Sequence, residues 1–209
     1  VWTDHRLFPE GNPEVVVFNS LDRLECIASI SDIGASEPAI WKHNVVFHQG
    51  LPGSNMQVYL YDIDSSSTTQ ISSGTGDKYG PAIWENRVVW SDAREGGSML
   101  DQRFADVYMF DIETGVETPI CTNSASQPAP VSIWGDSIAW MDCRNDPVRP
   151  DACGYGSRID IYTFSISTGV ERLQTDFSGY KKYPKLYNDK LYFTMIDNDG
   201  VYSIFEKTM

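Results

Sequence analysis

The chain is poor in the residues that most often carry chemistry. It has only three histidines, His5, His43 and His48, and none form a His-x-x-x-His pair that would set up a zinc site. No Gly-x-Ser-x-Gly elbow is present, which removes the strained nucleophile turn of many hydrolases. No apolar run reaches the length of a membrane span. No segment shows helical periodicity. Positive charge is scarce: 16 Lys and Arg face 29 Asp and Glu, for a formal net charge of −13. That balance argues against nucleic acid as a partner, because neutralising phosphates needs a basic face. Acidity by itself means mainly a solvated surface. The expectation is no catalytic set, no metal site and no cofactor. Paired acids for glycoside hydrolysis stay open, since so many acids offer too many pairs to choose between.

What the chain does have is repetition. Two copies read Pro81-Ala82-Ile83-Trp84-Glu85-Asn86-Arg87-Val88-Val89-Trp90-Ser91-Asp92-Ala93-Arg94 and Val131-Ser132-Ile133-Trp134-Gly135-Asp136-Ser137-Ile138-Ala139-Trp140-Met141-Asp142-Cys143-Arg144. Each runs through a polar loop into a strand, Asp106–Asp111 or Asp160–Ser165, and closes on Thr-Gly-Val-Glu at 114–117 or 168–171. The first apolar strand carries Trp41, Trp84, Trp134 and Tyr187, at spacings of 43, 50 and 53 residues. Those periods fit four-stranded propeller blades. Each unit reads as up to four short strands, A to D, bounded by Gly, Asn, Asp and Pro. The A-to-B links suit tight hairpins, and Gly115 supplies positive φ in a C-to-D turn. The fold expected is an all-β propeller of four-stranded antiparallel blades, with about five units over 1–36, 37–79, 80–129, 130–182 and 183–209. The first unit lacks strand A and the last lacks strand D, so the chain reads as one propeller domain or a piece of a larger one, with other domains of a longer chain as possible neighbours.

The four cysteines are informative by position. Cys143 and Cys153 flank one B-to-C loop and can meet across it. Cys26 and Cys121 fall in equivalent D strands two units apart, too far to pair. One loop-closing disulfide and two thiols favour an oxidising compartment; four reduced, buried cysteines are the alternative.

The run Pro-Ala-Ile-Trp…Val-Val-Trp-Ser-Asp-Ala-Arg…Asp-Val-Tyr-Met-Phe-Asp-Ile-Glu-Thr-Gly resembles the TolB-like β-propeller repeat. That family occurs in bacterial periplasmic and surface proteins, and in propeller regions attached to serine peptidases. The resemblance implies the fold and an extracellular, cell-surface or periplasmic setting. It leaves the function open, because such propellers host binding, gating and occasionally catalysis. The copy at 45–64 departs from the pattern, with no Asp or Arg in Val45-Val46-Phe47-His48-Gln49.

Strand parity puts the long B-to-C loops and the D-to-A links at one end of each blade, and the short turns at the other. Variable loops on a rigid scaffold are where binding usually lives. Asp4/Arg6, Asp92/Arg94 and Asp142/Arg144 stand at the roots of those loops. Their structural reading is a carboxylate that caps loop amides and a guanidinium paired with an acid. Their functional reading is a ring of charge gripping a polar ligand. The binding candidates are Arg94, Arg103, Arg144, Arg149 and Arg158, with the loop aromatics Phe104 and Tyr155; Tyr180 is a further loop aromatic for sugar stacking. The leading expectation is a non-catalytic binding or scaffold module with a protein or glycan partner. A carbohydrate-active lyase or hydrolase, and a structural subunit of a surface layer or filament, are the alternatives.

Overall fold

Short β-branched and aromatic runs broken by Asn, Asp and Gly turns pair into hairpins, and the hairpins add up to five antiparallel sheets. The computed structural model describes residues 1–4, 13–20, 23–29, 34–50, 55–96, 104–148, 150, 153, 158–177, 179–196 and 200–209. The first sheet holds β1 (Trp2–Asp4), β2 (Glu14–Asn19) and β3 (Leu24–Ile27). The second holds β4 (Ala35–Trp41), β5 (Asn44–Gln49), β6 (Gln57–Asp62) and β7 (Ser67–Gln70). The third holds β8 (Lys78–Trp84), β9 (Arg87–Asp92), β10 (Asp106–Asp111) and β11 (Val116–Cys121). The fourth holds β12 (Ser132–Trp134), β13 (Ser137–Asp142), β14 (Asp160–Ser165) and β15 (Val170–Leu173). The fifth holds β16 (Tyr180–Tyr187), β17 (Lys190–Ile196) and β18 (Tyr202–Thr208). Within every sheet the strands follow chain order, as a meander. No helix occurs among the described residues, so none is long and apolar enough to cross a membrane.

The sheets stack face to face, and this explains the unbroken apolar B strands. In β9, Val88 and Trp90 face the second sheet, where Val46 and Val58 lie, while Val89 faces Val131 and Ile133 of the fourth. Successive residues of a strand point to opposite faces, so a strand packed on both sides must be apolar at both parities. The inner strands β4, β8, β12 and β16 touch in succession. At their turn ends the expected aromatic column forms: Trp41–Trp84, Trp84–Trp134 and Trp134–Tyr187 have ring centroids 4.0, 3.7 and 4.6 Å apart. Gly115 takes φ +68, as its turn requires.

The inner strands begin earlier than the sequence suggests. Pro38, Pro81 and Pro184 read as strand starts, because proline donates no ladder hydrogen bond. Instead β4, β8 and β16 each run through the proline across an irregularity, at Ser36/Ala39, Tyr79/Ala82 and Lys182/Lys185. The residue before each proline takes positive φ: Glu37 at 52°, Gly80 at 63° and Tyr183 at 54°. Tyr180 consequently opens a strand rather than standing in a loop.

Candidate functional site on the long-loop face

The repeated Trp-x-Asp-x-Arg stretch closes each of β9 and β13. Asp92 and Asp142 are fully buried. The indole N–H groups of Trp90 and Trp140 donate to Oδ2 of Asp92 and Asp142 at 3.0 Å. The backbone N–H of Arg94 donates to Asp92 Oδ1 at 3.0 Å, and its guanidinium adds bonds of 3.0 and 2.6 Å. The equivalent bonds from Arg144 to Asp142 measure 2.9, 2.9 and 2.6 Å. Each guanidinium also lies over the tyrosine of its C strand, 3.8 Å from the Tyr108 ring centre and 4.1 Å from that of Tyr162.

A second acid completes each cluster. Arg94 donates to Glu117 at 2.8 Å and Arg144 to Glu171 at 2.5 Å. These are the glutamates of the two Thr-Gly-Val-Glu stretches. The signal was in the sequence: the Asp-x-Arg pair and a glutamate at that register occur together in the first, third and fourth units, with Glu25 in the first. In the second sheet both are lost together, with Gln49 in the aspartate's place and Thr68 in the glutamate's, by register. Glu117 also accepts from Ser73 N and Oγ, both at 3.0 Å, which ties the second sheet's last loop to the third. Arg158 is held in turn by Asp160 at 3.1 Å and Asp176 at 3.5 Å. Arg94, Arg144 and Arg158 are therefore paired charge, each with two acids. Asp4 is buried at the end of β1. Arg6, Arg103, Arg149 and Tyr155 lie outside the described residues.

Between the third sheet's B-to-C loop and its last strand opens a cavity of about 620 Å³. Phe104, Asp106, Tyr108, Glu95 and residues 122–124 line it. Phe104 is exposed and holds φ +53. Asp106 is only 6% exposed, and its carboxylate has no hydrogen bond or ion pair among the described residues. Burial pushes its pKa up to about 7, with Asp92 and Glu95 adding to the rise and Arg94 opposing it. Of this lining the sequence singled out Phe104 alone.

The loop that follows β13 is closed by the expected Cys143–Cys153 disulfide, with Cα atoms 5.7 Å apart. Cys26 and Cys121 are free thiols, in β3 and β11. Burial pushes Cys121 up to about 12, and Arg144 lies 3.1 Å from its sulfur.

No sequence-family profile matches the chain, and no curated protein matches it. Solved structures do. TolB from Acinetobacter baumannii superposes with a TM-score of 0.57 at 14% identity, over 97% of this chain and 49% of that one. The putative TolB from Agrobacterium tumefaciens gives 0.62 at 16% identity, over 93% and 65%. A chain of the nidogen/laminin complex gives 0.60 at 9%, over 94% and 68%. The fold is a TolB-like β-propeller. The chain spans about half to two thirds of the length of these structures.

In propeller terms the five sheets are blades, and the proline irregularities of β4, β8 and β16 lie on their inner side. There they frame a second cavity of about 390 Å³, whose lining includes Glu37, Gly80, Pro130, Tyr183 and Lys185. Burial raises the Glu37 carboxyl above its usual range, against a lowering bond from the Gly80 backbone. Behind it His48 is buried and neutral: burial pushes it down to about 4, and Ser36 Oγ lies 2.6 Å from its Nε2.

Proposed function

We propose that this chain is a non-catalytic binding and scaffold module of an exported or cell-surface protein, and that it presents its B-to-C loop face to a protein or glycan partner. The observation that carries the reading is the fixed base beneath that face. Buried Asp92 and Asp142 pin the loop roots, and in the third blade an open cavity with an exposed aromatic lies beside Asp106, the strand partner of Asp92. Rigid roots under variable loops lower the ordering cost of binding. The Cys143–Cys153 bond further stiffens one loop and suits an oxidising compartment. A lyase or hydrolase would call for several acids converging in one deep cavity. The inner cavity offers Glu37 alone among its described acids, and the long-loop cavity sets Asp106 and Glu95 in an open site beside an exposed aromatic rather than in a deep one, so the binding reading is preferred.

Cross-linking of the native assembly, with glycan-array binding, tests the proposal on wild type and an Arg103→Glu/Arg149→Glu variant. Cross-links should map to 94–106 and 144–160, and the variant should lose at least about tenfold in affinity, because each change turns a charge that attracts an anionic glycan or an acidic segment of the partner into one that repels it, at a cost above about 1.4 kcal/mol. Unchanged binding, or cross-links confined to Glu85-Asn86 and Glu113-Thr114, would overturn it.

A further inference from the structure

Blades three and four have the same construction, and comparing them position by position exposes one place where their chemistry differs. Asp106 and Asp160 are equivalent: each opens its C strand opposite the buried aspartate of its B strand, Asp92 or Asp142. Asp160 is fully satisfied. Lys181 from the next blade reaches it at 2.8 Å, Asn145 donates at 2.9 Å and Arg158 at 3.1 Å. The Lys181 ammonium also lies 4.8 Å from the Phe177 ring centre, so that cation has an aromatic wall.

Every one of those donors is replaced around Asp106. The residue in the place of Asn145 is Glu95, one after the repeat arginine. Phe104 holds the place of Arg158, two before the C-strand aspartate. The lysine's place is identified by the backbone. Lys78 N donates to Met56 O of the blade before it, and Gln127 N makes the same bond to Ala105 O. Likewise Ala93 N donates to Asp77 O, and Cys143 N to Ser126 O. Gln127 therefore stands where the third and fifth blades carry Lys78 and Lys181. Its neutral amide turns to the Ala125 carbonyl at 2.7 Å, and its Oε1 has no partner among the described residues. Among the described residues, four acids, Asp92, Glu95, Asp106 and Glu117, are left facing two cations, Arg94 and Lys78.

We propose that the cavity at Asp106 binds a primary ammonium group, of the kind carried by a lysine side chain or a small amine, so that the ligand supplies in trans the cation that Lys181 supplies in cis to Asp160. Asp106, 6% exposed as a residue and with a carboxylate that has no partner among the described residues, is the anchor. Glu95 adds a second negative charge at the mouth. Phe104 gives the aromatic wall that Phe177 gives to Lys181, and Tyr108, whose ring already carries Arg94, lines the cavity beside it. Aromatic walls suit an organic cation rather than a hard divalent ion, which requires six or more oxygens. This inference rests on the reading of the long-loop face as the binding face, and names the chemistry one part of it recognises.

The test is calorimetric or NMR titration of the full chain with acetyl-lysine methylamide, n-butylammonium, the uncharged acetyl-norleucine methylamide and calcium. Both ammonium probes should bind saturably and shift the amides of residues 106 and 122–124, and the uncharged probe should not. Asp106→Asn should weaken binding at least about tenfold, Glu95→Gln by less, and Glu113→Gln on the short-turn face not at all. A tighter fit for the lysine probe identifies a protein lysine as the source, and an equal or tighter fit for butylammonium a free amine. Binding of calcium alone, undiminished binding in Asp106→Asn, or no saturable ammonium binding would each overturn the proposal. If the wild-type chain keeps native cross-links on the long-loop face while the ammonium probes fail to bind it, the pocket proposal falls and the face reading stands. Cross-links confined to the short turns would overturn the face reading itself.

Discussion

At the scale of single residues, the same side chain takes opposite roles according to its partners. Asp142 is a buried charge with a full set of donors, and removing it would leave Arg144 facing Glu171 alone. Breaking a buried pair costs about 3–5 kcal/mol, and here the lower end applies because the guanidinium keeps one acid and some solvent. Asp142→Ala should therefore lower stability by about 3 kcal/mol in urea unfolding; a loss below about 0.5 kcal/mol would mean that the cluster is not structural. Asp106 is the contrary case. Its folded pKa lies near 7, well above the usual carboxylate value, so the folded state holds its proton where the unfolded state has lost it. Stability is therefore fully present below about pH 4 and drains away as pH rises toward 7. Burial sets this first; Asp92 of β9 and Glu95 of the loop after it add to the rise, and Arg94 of that loop opposes it. Asp106→Asn removes the titration. The variant should be more stable than wild type at pH 8, and the difference should shrink toward pH 4. Equal unfolding midpoints at pH 8 would contradict this. A repeated aspartate such as Asp142 is legible in the sequence. Asp106 is not, because its distinction lies in what three other positions lack. One of them, Gln127, is offset by an extra residue before Trp134 relative to Lys78 before Trp84.

At the scale of the element, the B and C strands were readable because their β-branched and aromatic runs, bounded by turn residues, agree with their pairing. The inner strands were readable only from the proline onward. Proline normally ends a ladder, yet Pro38, Pro81 and Pro184 sit inside strands that kink around them. At Gly80 the kink brings the third blade against the fourth. There a Cβ would stand 2.7 Å from the Ala129 Cβ, at a φ of +63°. Gly80→Ala should therefore cost about 2 kcal/mol, the sum of a disfavoured backbone and a contact that must give. The equivalent residues Glu37 and Tyr183 carry side chains at similar φ, so the contact with Ala129 is what separates Gly80 from them. A thermal midpoint unchanged by the substitution would show that the third blade can shift away from the fourth without cost.

At the scale of the whole molecule, stability is shared between neighbours. Each blade buries its faces against the blade before and the blade after, as in other repeat proteins, so stability is close to a sum over adjacent interfaces. Trp140 is fully buried in the cluster that joins blades three and four, and its N–H also feeds Asp142. Trp140→Ala should cost about 3–5 kcal/mol. Its effect on hydrogen exchange should be strongest in β9 to β14 and weakest in β2 and β3. Uniform loss of protection across the chain would instead mean one cooperative unit. The period that reveals this architecture was plain in the sequence, since five units obey one packing rule. The partner face was only partly so, because the loops that build it are where the units stop agreeing.

The column of Trp41, Trp84 and Trp134 has an optical consequence. Indoles with centroids 4.0 and 3.7 Å apart couple their electronic transitions, so light absorbed by one is shared with the next. Each pair spans two blades, and the coupling exists only while those blades are docked. The ultraviolet circular dichroism should therefore carry an exciton couplet that is lost on replacing Trp84, the central ring, and reduced by half on replacing either end. That signal would follow the seating of one blade against another, separately from the folding of the blades themselves.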